Sequence, residues 1–174
     1  MMVKHLLEEH YKQHGFPKLA ARFILEPALI PELVEIAISN LNHPFPECAS
    51  WLLIHIVKTN PELLEKFQPK FIDCLIQSKN QSVLRNLCNT CSQLPLIDYK
   101  ESEFLDQLIV FIKDDSNKVA LSVYALYKLI HFTERYPEIK PEILGIIELK
   151  QTVTIQPFMR IGIRNYIKAT SSIH

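Results

Sequence analysis

The sequence predicts an all-α fold, and three observations support this prediction. The 174 residues include three glycines and eleven prolines, whereas sheets with tight hairpins use glycine at their turns. The prolines stand between segments whose apolar residues recur every three or four positions, which is the spacing of one helix face. Similar segments return along the chain at a nearly constant interval. A chain built from repeated helical pairs accounts for all three observations.

The stretch from Pro46 to Gln77 shows the pattern most clearly, because it predicts a helix, a short proline-marked connection and a second helix. Cys48, Trp51 and His55 share one face of the first helix, and apolar residues also cover its opposite side. A helix that is apolar nearly all round is typically buried. We therefore expect Trp51 in the core, His55 as a partly buried histidine with satisfied hydrogen bonds, and no functional site on this helix.

The other elements are predicted in chain order around this stretch. Amino-terminal cap helices are predicted over residues 1–26, the first ending at Gly15. The repeats are predicted over residues 27–168, and a frayed tail is predicted over residues 169–174. First helices open at spacings of 38, 33 and 39 residues, at Leu33, Phe71, Phe104 and Ile143. Second helices open at spacings of 35, 36 and 40 residues, at Cys48, Val83, Val119 and Met159. Thr152–Ile155 allows a short extended segment, and residues 1–174 are predicted to form one domain.

On this period and hydrophobic pattern, the chain resembles the HEAT and armadillo-like helical repeat families, with about four helical pairs over residues 27–168. The resemblance implies a right-handed superhelical stack of antiparallel helical hairpins with an amino-terminal helical cap. It also implies that the second helices line a concave face that binds partners. Extended curved surfaces of this kind are what stacked repeats provide.

Charge and cysteine content narrow the function classes. Nineteen basic and nineteen acidic side chains cancel, so no long-range field attracts nucleic acid or anionic lipid. The acidic residues Glu8 and Glu9 stand where a signal peptide needs an apolar core, and no apolar run approaches the roughly 18 residues of a membrane span. The four cysteines fall within apolar helical patterns, which is typical of reduced thiols. We expect a cytoplasmic protein.

No residue pattern predicts a catalytic site, a metal site or a cofactor. Cys88 and Cys91 form a CxxC in mid-helix rather than at a helix start, which favours two core residues over a redox pair. His10 and His14 stand four residues apart, which suits a metal pair, but no third ligand follows, and a solvated helix face is favoured. His131, within an apolar helix, is interpreted as a partly buried histidine.

The predicted binding surface is the polar side of the second helices. It comprises Arg85, Asn89, Tyr124, Lys128, Arg160, Arg164 and Lys168. The last three are one turn apart, which indicates either a ridge for an acidic peptide or phosphate, or a solvated helix face.

Two functions follow from this surface. The first is a non-enzymatic interaction module or scaffold that binds a protein or peptide. The alternative is a nucleic-acid-binding or DNA-repair protein similar to the HEAT-like alkylpurine DNA glycosylases, which Trp51 and the arginines of the last helix suggest. The neutral charge balance of the chain disfavours the second.

Overall fold

The computed structural model of the chain describes residues 2–13, 16–151 and 156–173, and every regular element in these ranges is helical. The predicted all-α class is therefore confirmed. The chain divides into two compact units, Met1–Leu94 and Pro95–His174, while the single domain over residues 1–174 and its right-handed superhelical course stay predictions. The predicted helix end at Gly15, the His14 member of the histidine pair and the segment Thr152–Ile155 lie outside the described residues.

The first unit contains six α-helices in its described part. They are α1 (Met2–Gln13), α2 (Phe16–Leu25), α3 (Ile30–Ala37), α4 (Phe45–Thr59), α5 (Gln68–Gln77) and α6 (Gln81–Ser92). Short 3₁₀ turns at Pro27–Leu29, Pro61–Leu63 and Glu65–Phe67 join some of them. Prolines stand in the first turns of α3, α4 and α5, where the missing N–H has no helical partner to lose.

Packing within the first unit refines the interpretation of residues 46–77 as one repeat. Helix α4 packs against α3 and α6, whereas α5 packs against α6. The predicted helix, connection and second helix are all present. However, α4 is the second helix of one pair and α5 is the first helix of the next, which agrees with the predicted spacings. Helices α1 and α2 also pack on α4.

Asn80 begins helix α6, as a cap residue should. Its side-chain oxygen accepts hydrogen bonds from the backbone N–H groups of Ser82 and Val83, at 3.1 and 3.2 Å. These donors otherwise have no partner in the first turn of a helix. The side-chain amide of the same residue donates to Glu47 Oε1 at 2.7 Å. One side chain therefore starts α6 and also holds it against α4.

The second unit contains α7 (Glu101–Lys113), α8 (Val119–Arg135), α9 (Lys140–Gln151) and α10 (Pro157–Thr170). Helix α8 packs against both α7 and α10. Its contact with α10 is close at Gly162, where an added Cβ would lie 3.0 Å from a methyl carbon of Val123. Buried Tyr166 of α10 hydrogen-bonds Thr133 of α8 through their hydroxyl groups, at 2.8 Å. These contacts fix which face of α10 is exposed.

The predicted frayed tail, residues 169–174, stays a prediction, but its described part makes contacts. Helix α10 continues to Thr170, which is fully buried and donates its hydroxyl to the carbonyl of Tyr166 at 2.9 Å. The ammonium of Lys140 donates to the carbonyl of Ile173. Among the residues that the structure describes, these contacts extend to Ile173.

Candidate functional site

The predicted binding residues fall in both units. Arg85 and Asn89 lie on α6 of the first unit, and Tyr124, Lys128, Arg160, Arg164 and Lys168 lie on α8 and α10 of the second. Asn89 is partly buried, and its side-chain oxygen accepts a hydrogen bond from the Gln93 amide at 2.9 Å. Each unit therefore presents its own part of the predicted surface.

The prediction that Lys128 lies on the polar surface is wrong. Its side chain is 1% exposed, and its ammonium donates to the carbonyl of Pro95 at 3.2 Å. Lysine can bury its apolar stem when its charged end finds a backbone acceptor. Spacing along α8 places Lys128 one turn after Tyr124, but on the side that turns inward.

A groove between α4 and α6, in the described part of the first unit, combines apolar and charged groups. Its volume is about 320 Å³, and its lining residues are His43, Glu47, Cys48, Trp51, Ser82, Arg85 and Asn86. We call it the Arg85 groove. A larger cavity of about 590 Å³ lies at the loop after α3, but Lys79 is the one charged residue in its lining.

Trp51 borders the Arg85 groove and is only partly buried, so the expectation of a core tryptophan is wrong. Its ring meets that of His55 at an interplanar angle of 63°, with the centroids 4.1 Å apart. His55 is partly buried, as predicted. Its pKa is lowered by burial and by the neighbouring charge of Lys58, so its imidazole extends an uncharged aromatic surface from Trp51.

Asn86 positions the guanidinium of Arg85. Arg85 donates from Nε and Nη2 to the single acceptor Asn86 Oδ1, at 3.2 and 3.0 Å. The amide of Asn86 donates in turn to Ser50 Oγ at 3.0 Å and to the carbonyl of Glu47 at 3.3 Å. Asn86 is 1% exposed, so its own orientation is fixed by buried partners on α4. The guanidinium is therefore held in place before any ligand binds.

Glu47 supplies the acidic group of the groove. Partial burial favours a raised pKa, but the hydrogen bond from Asn80 and the proximity of His43 outweigh it and hold the pKa below its ordinary value. Its Oε2 is enclosed and lies 3.5 Å from His43 Nδ1. Glu47 thus faces Asn80 and His43, and it forms no ion pair with Arg85.

Sequence reasoning missed Glu47 and Asn86 as members of this site. One signal was available for Asn86, because it stands at i+3 from Val83 and four residues before Thr90, on the side of α6 that carries the core residues. A polar residue on the buried side of a helix needs partners. The identity of those partners, 36 and 39 residues earlier in the chain, is not encoded in local spacing.

The second unit presents a basic surface on α10. Arg160, Arg164 and Lys168 are exposed, and Ile161 between them is 41% exposed. We call these four residues the α10 basic surface. None of its three cations has an ion-pair partner among the residues that the structure describes.

Aromatic side chains adjoin the α10 basic surface. Phe158, 39% exposed, lies one turn before Ile161, and its ring meets that of Tyr124 with the centroids 6.2 Å apart. Tyr127 lies beside Tyr124, and its hydroxyl accepts a hydrogen bond from the amide of Asn165 at 3.1 Å. The exposed face of α8 and α10 therefore combines aromatic, aliphatic and basic groups.

Comparison with known protein families identifies the family of this chain. A family model described as a HEAT repeat domain matches residues 4–170. The chain is a HEAT repeat protein. HEAT repeats generally mediate protein interactions. No curated protein and no solved structure matches the sequence significantly.

The described residues of this HEAT repeat protein show no group of three or more His, Cys, Asp and Glu side chains that would hold a metal ion. Cys88 and Cys91 are buried core residues within α6, as the sequence predicts. Burial lowers the pKa of His131, as does the neighbouring charge of Lys128. Within the same residues, no helix is long and apolar enough to cross a membrane.

Proposed function

We propose that this HEAT repeat protein is a non-enzymatic interaction module whose second unit binds an acidic segment of another protein. The observation that carries the proposal is the α10 basic surface, where three exposed cations lack ion pairs in the described chain. Cations that the protein itself does not neutralise favour a partner that brings carboxylates.

The groups beside these cations support a protein partner. Ile161 and Phe158 are each about 40% exposed, and Tyr124 and Tyr127 extend the aromatic area onto α8. Aromatic residues and arginine are enriched in the centres of protein interfaces. The partner segment is therefore expected to carry apolar side chains among its acidic ones.

A photo-crosslinking amino acid at position 161 tests this proposal in cells. We expect covalent adducts with a discrete partner, identified by mass spectrometry, because position 161 lies among the proposed contacts. The same amino acid at exposed Glu138 of the second unit is the matched control and should give none of these adducts. Reversing both charges in the variant Arg160→Glu/Arg164→Glu should abolish the adducts while helicity is retained. Identical adducts at both positions, or adducts that persist after charge reversal, would refute the proposal.

Nucleic acid is the alternative partner for this protein. The two features that suggest it, Trp51 and the last-helix arginines, belong to different units of the chain. Binding of duplex DNA measured over a range of salt concentrations distinguishes the two partners, because neutralised phosphates give a steep salt dependence. An affinity for duplex DNA that falls steeply with salt would replace the protein partner with nucleic acid.

A cytoplasmic location belongs to the same proposal. The four cysteines are thiols rather than disulfides, and reduced thiols are typical of reducing compartments. Fluorescence microscopy of the tagged full chain checks this location.

A further inference from the structure

We propose that the Arg85 groove of the first unit is a second binding site, which takes a peptide segment carrying a carboxylate beside an apolar side chain. This site is separate from the α10 basic surface in the second unit. It is built from α4 and α6, with Arg85 as the group that binds the carboxylate and Trp51 as the apolar contact.

The charge of Arg85 is the first argument. Its guanidinium donates only to the neutral amide oxygen of Asn86, and no carboxylate among the described residues lies within ion-pair distance. A guanidinium has five N–H donors, and these two bonds leave three of them, including both on Nη1. A planar carboxylate matches the remaining edge with two parallel hydrogen bonds.

The rigidity of Arg85 is the second argument. Arginine on an exposed helix usually loses side-chain freedom when it binds a ligand, which weakens the complex. Here Asn86 already restrains the guanidinium, and the bonds from Asn86 to Ser50 and to the backbone of Glu47 restrain Asn86. Binding therefore orders little more of the protein, and the helix packing itself sets the direction in which Arg85 presents its donors.

The apolar part of the groove is the third argument. Trp51 and Cys48 line the groove together with Arg85. Burial, with a smaller effect of Glu47, raises the pKa of the Cys48 thiol to about 11, so the thiol is uncharged at neutral pH. The volume of about 320 Å³ is at the lower limit of ligand sites, roughly 300–1,000 Å³. Such a volume suits a few side chains of a peptide.

Glu47 and His43 are the other titratable groups that line the groove. The charge of Glu47 determines which kind of anion the groove favours. The pKa of Glu47 is held below its ordinary value, chiefly by the Asn80 hydrogen bond acting against burial, so its carboxylate is negative at neutral pH. Its repulsion disfavours a dianionic phosphate more than a singly charged carboxylate. A carboxylate on Arg85 with an apolar neighbour on Trp51 is therefore the better match.

The fluorescence of Trp51 provides a direct test, because it is the one tryptophan in the sequence. The probe is a short peptide containing Leu-Glu-Leu, acetylated and amidated so that it has no terminal charges. The control peptide contains Leu-Gln-Leu. Titrated to millimolar concentration, the glutamate peptide should change the Trp51 emission in a saturable way and bind about tenfold more tightly than the glutamine peptide.

Two variants assign this binding to Arg85. Arg85→Gln should weaken the glutamate peptide about tenfold or more, and Arg85→Lys should restore only part of the affinity, because lysine lacks the planar fork. The matched control Arg22→Gln removes an arginine of α2 that pairs with Glu26 outside the groove and should leave the affinity unchanged. Equal binding of the two peptides, no saturable change, or full affinity in Arg85→Gln with unchanged circular dichroism would overturn the proposal. The result is independent of crosslinking at position 161, so either proposal can fail alone.

Discussion

Replacing Gly162 with alanine should destabilise the protein, whereas the same change at Gly145 should stabilise it. Both glycines lie inside helices, Gly162 in α10 and Gly145 in α9. In a helix interior, alanine is more favourable than glycine by about 0.5–1 kcal/mol, because the unfolded glycine chain has more freedom to lose. An added Cβ at Gly145 meets no atom within 4 Å, so the full gain of about 0.5–1 kcal/mol is expected there.

Gly162 lies against a side chain that cannot move away. An added Cβ would lie 3.0 and 3.1 Å from the two methyl carbons of Val123 and 3.4 Å from its Cβ. Val123 is fully buried in α8, and a helical valine strongly prefers a single rotamer. The two helices would have to separate, and overpacking of this kind costs about 1–3 kcal/mol. The net expectation for Gly162→Ala is a loss of roughly 1 kcal/mol after the helix gain.

Urea denaturation followed by circular dichroism measures both variants against the unchanged protein. The two variants should differ by the overpacking term, about 1–3 kcal/mol, with Gly145→Ala the more stable. In a chain of this size, each 1 kcal/mol moves the melting temperature by about 2–4 °C. Adding Val123→Ala should relieve part of the loss in Gly162→Ala, giving a positive coupling between the two positions. If Gly162→Ala is as stable as Gly145→Ala, the close approach of α8 and α10 is refuted.

Three further predictions concern buried or partly buried polar groups. Tyr166→Phe should lower the free energy of unfolding by about 1 kcal/mol. Thr133→Val should lower it by about 1–3 kcal/mol, because this variant leaves a buried phenol without its partner. In urea denaturation, additive losses in the double variant would contradict their hydrogen bond. Folding lowers the pKa of Glu47 below its ordinary value of 4.5. Around and below pH 4.5 the unfolded state therefore binds more protons than the folded state, and the ionised carboxylate adds stability above pH 4.5. The stability advantage over Glu47→Gln, measured by denaturation across pH, should therefore be greatest near neutrality and shrink as the pH falls below 4.5; an advantage independent of pH would contradict this. Burial raises the thiol pKa of Cys48 and Cys74 to about 11. Alkylation of these thiols by iodoacetamide, measured by mass spectrometry, should therefore be slow at pH 7 and accelerate with pH. Fast labelling at pH 7 would refute the raised pKa values.

Hydrophobic spacing predicted the helices well because it reports burial averaged over a whole face. Leu52 and Ile56 of α4 are fully buried, as their spacing indicates. The same method misplaced Trp51, since a helix that is apolar on nearly every side gives no direction for its exposed edge. Only the position of α6 beside α4 leaves that edge partly open.

The candidate site depends on contacts that no local pattern contains. Arg85 was predicted as a surface residue, but the restraint by Asn86 was not, because it requires α4 and α6 to meet at a particular height. Lys128 shows the opposite error. Its spacing predicted exposure, whereas its side chain is buried and its ammonium donates to the backbone carbonyl of Pro95. A charged residue with a long apolar stem can therefore lie on the buried side of a helix when a backbone acceptor is near.

The double role of Asn80 makes the start of α6 inseparable from its docking on α4. Its oxygen caps the helix while its amide binds Glu47, so both tasks require one residue at one position. Adding or removing a residue directly after Asn80 would rotate the rest of α6 by about 100° relative to that anchor. The first turn of α6 after Asn80 should therefore tolerate substitution far better than a change of length. Anyone grafting this repeat into another helical array would have to transfer Glu47 together with Asn80.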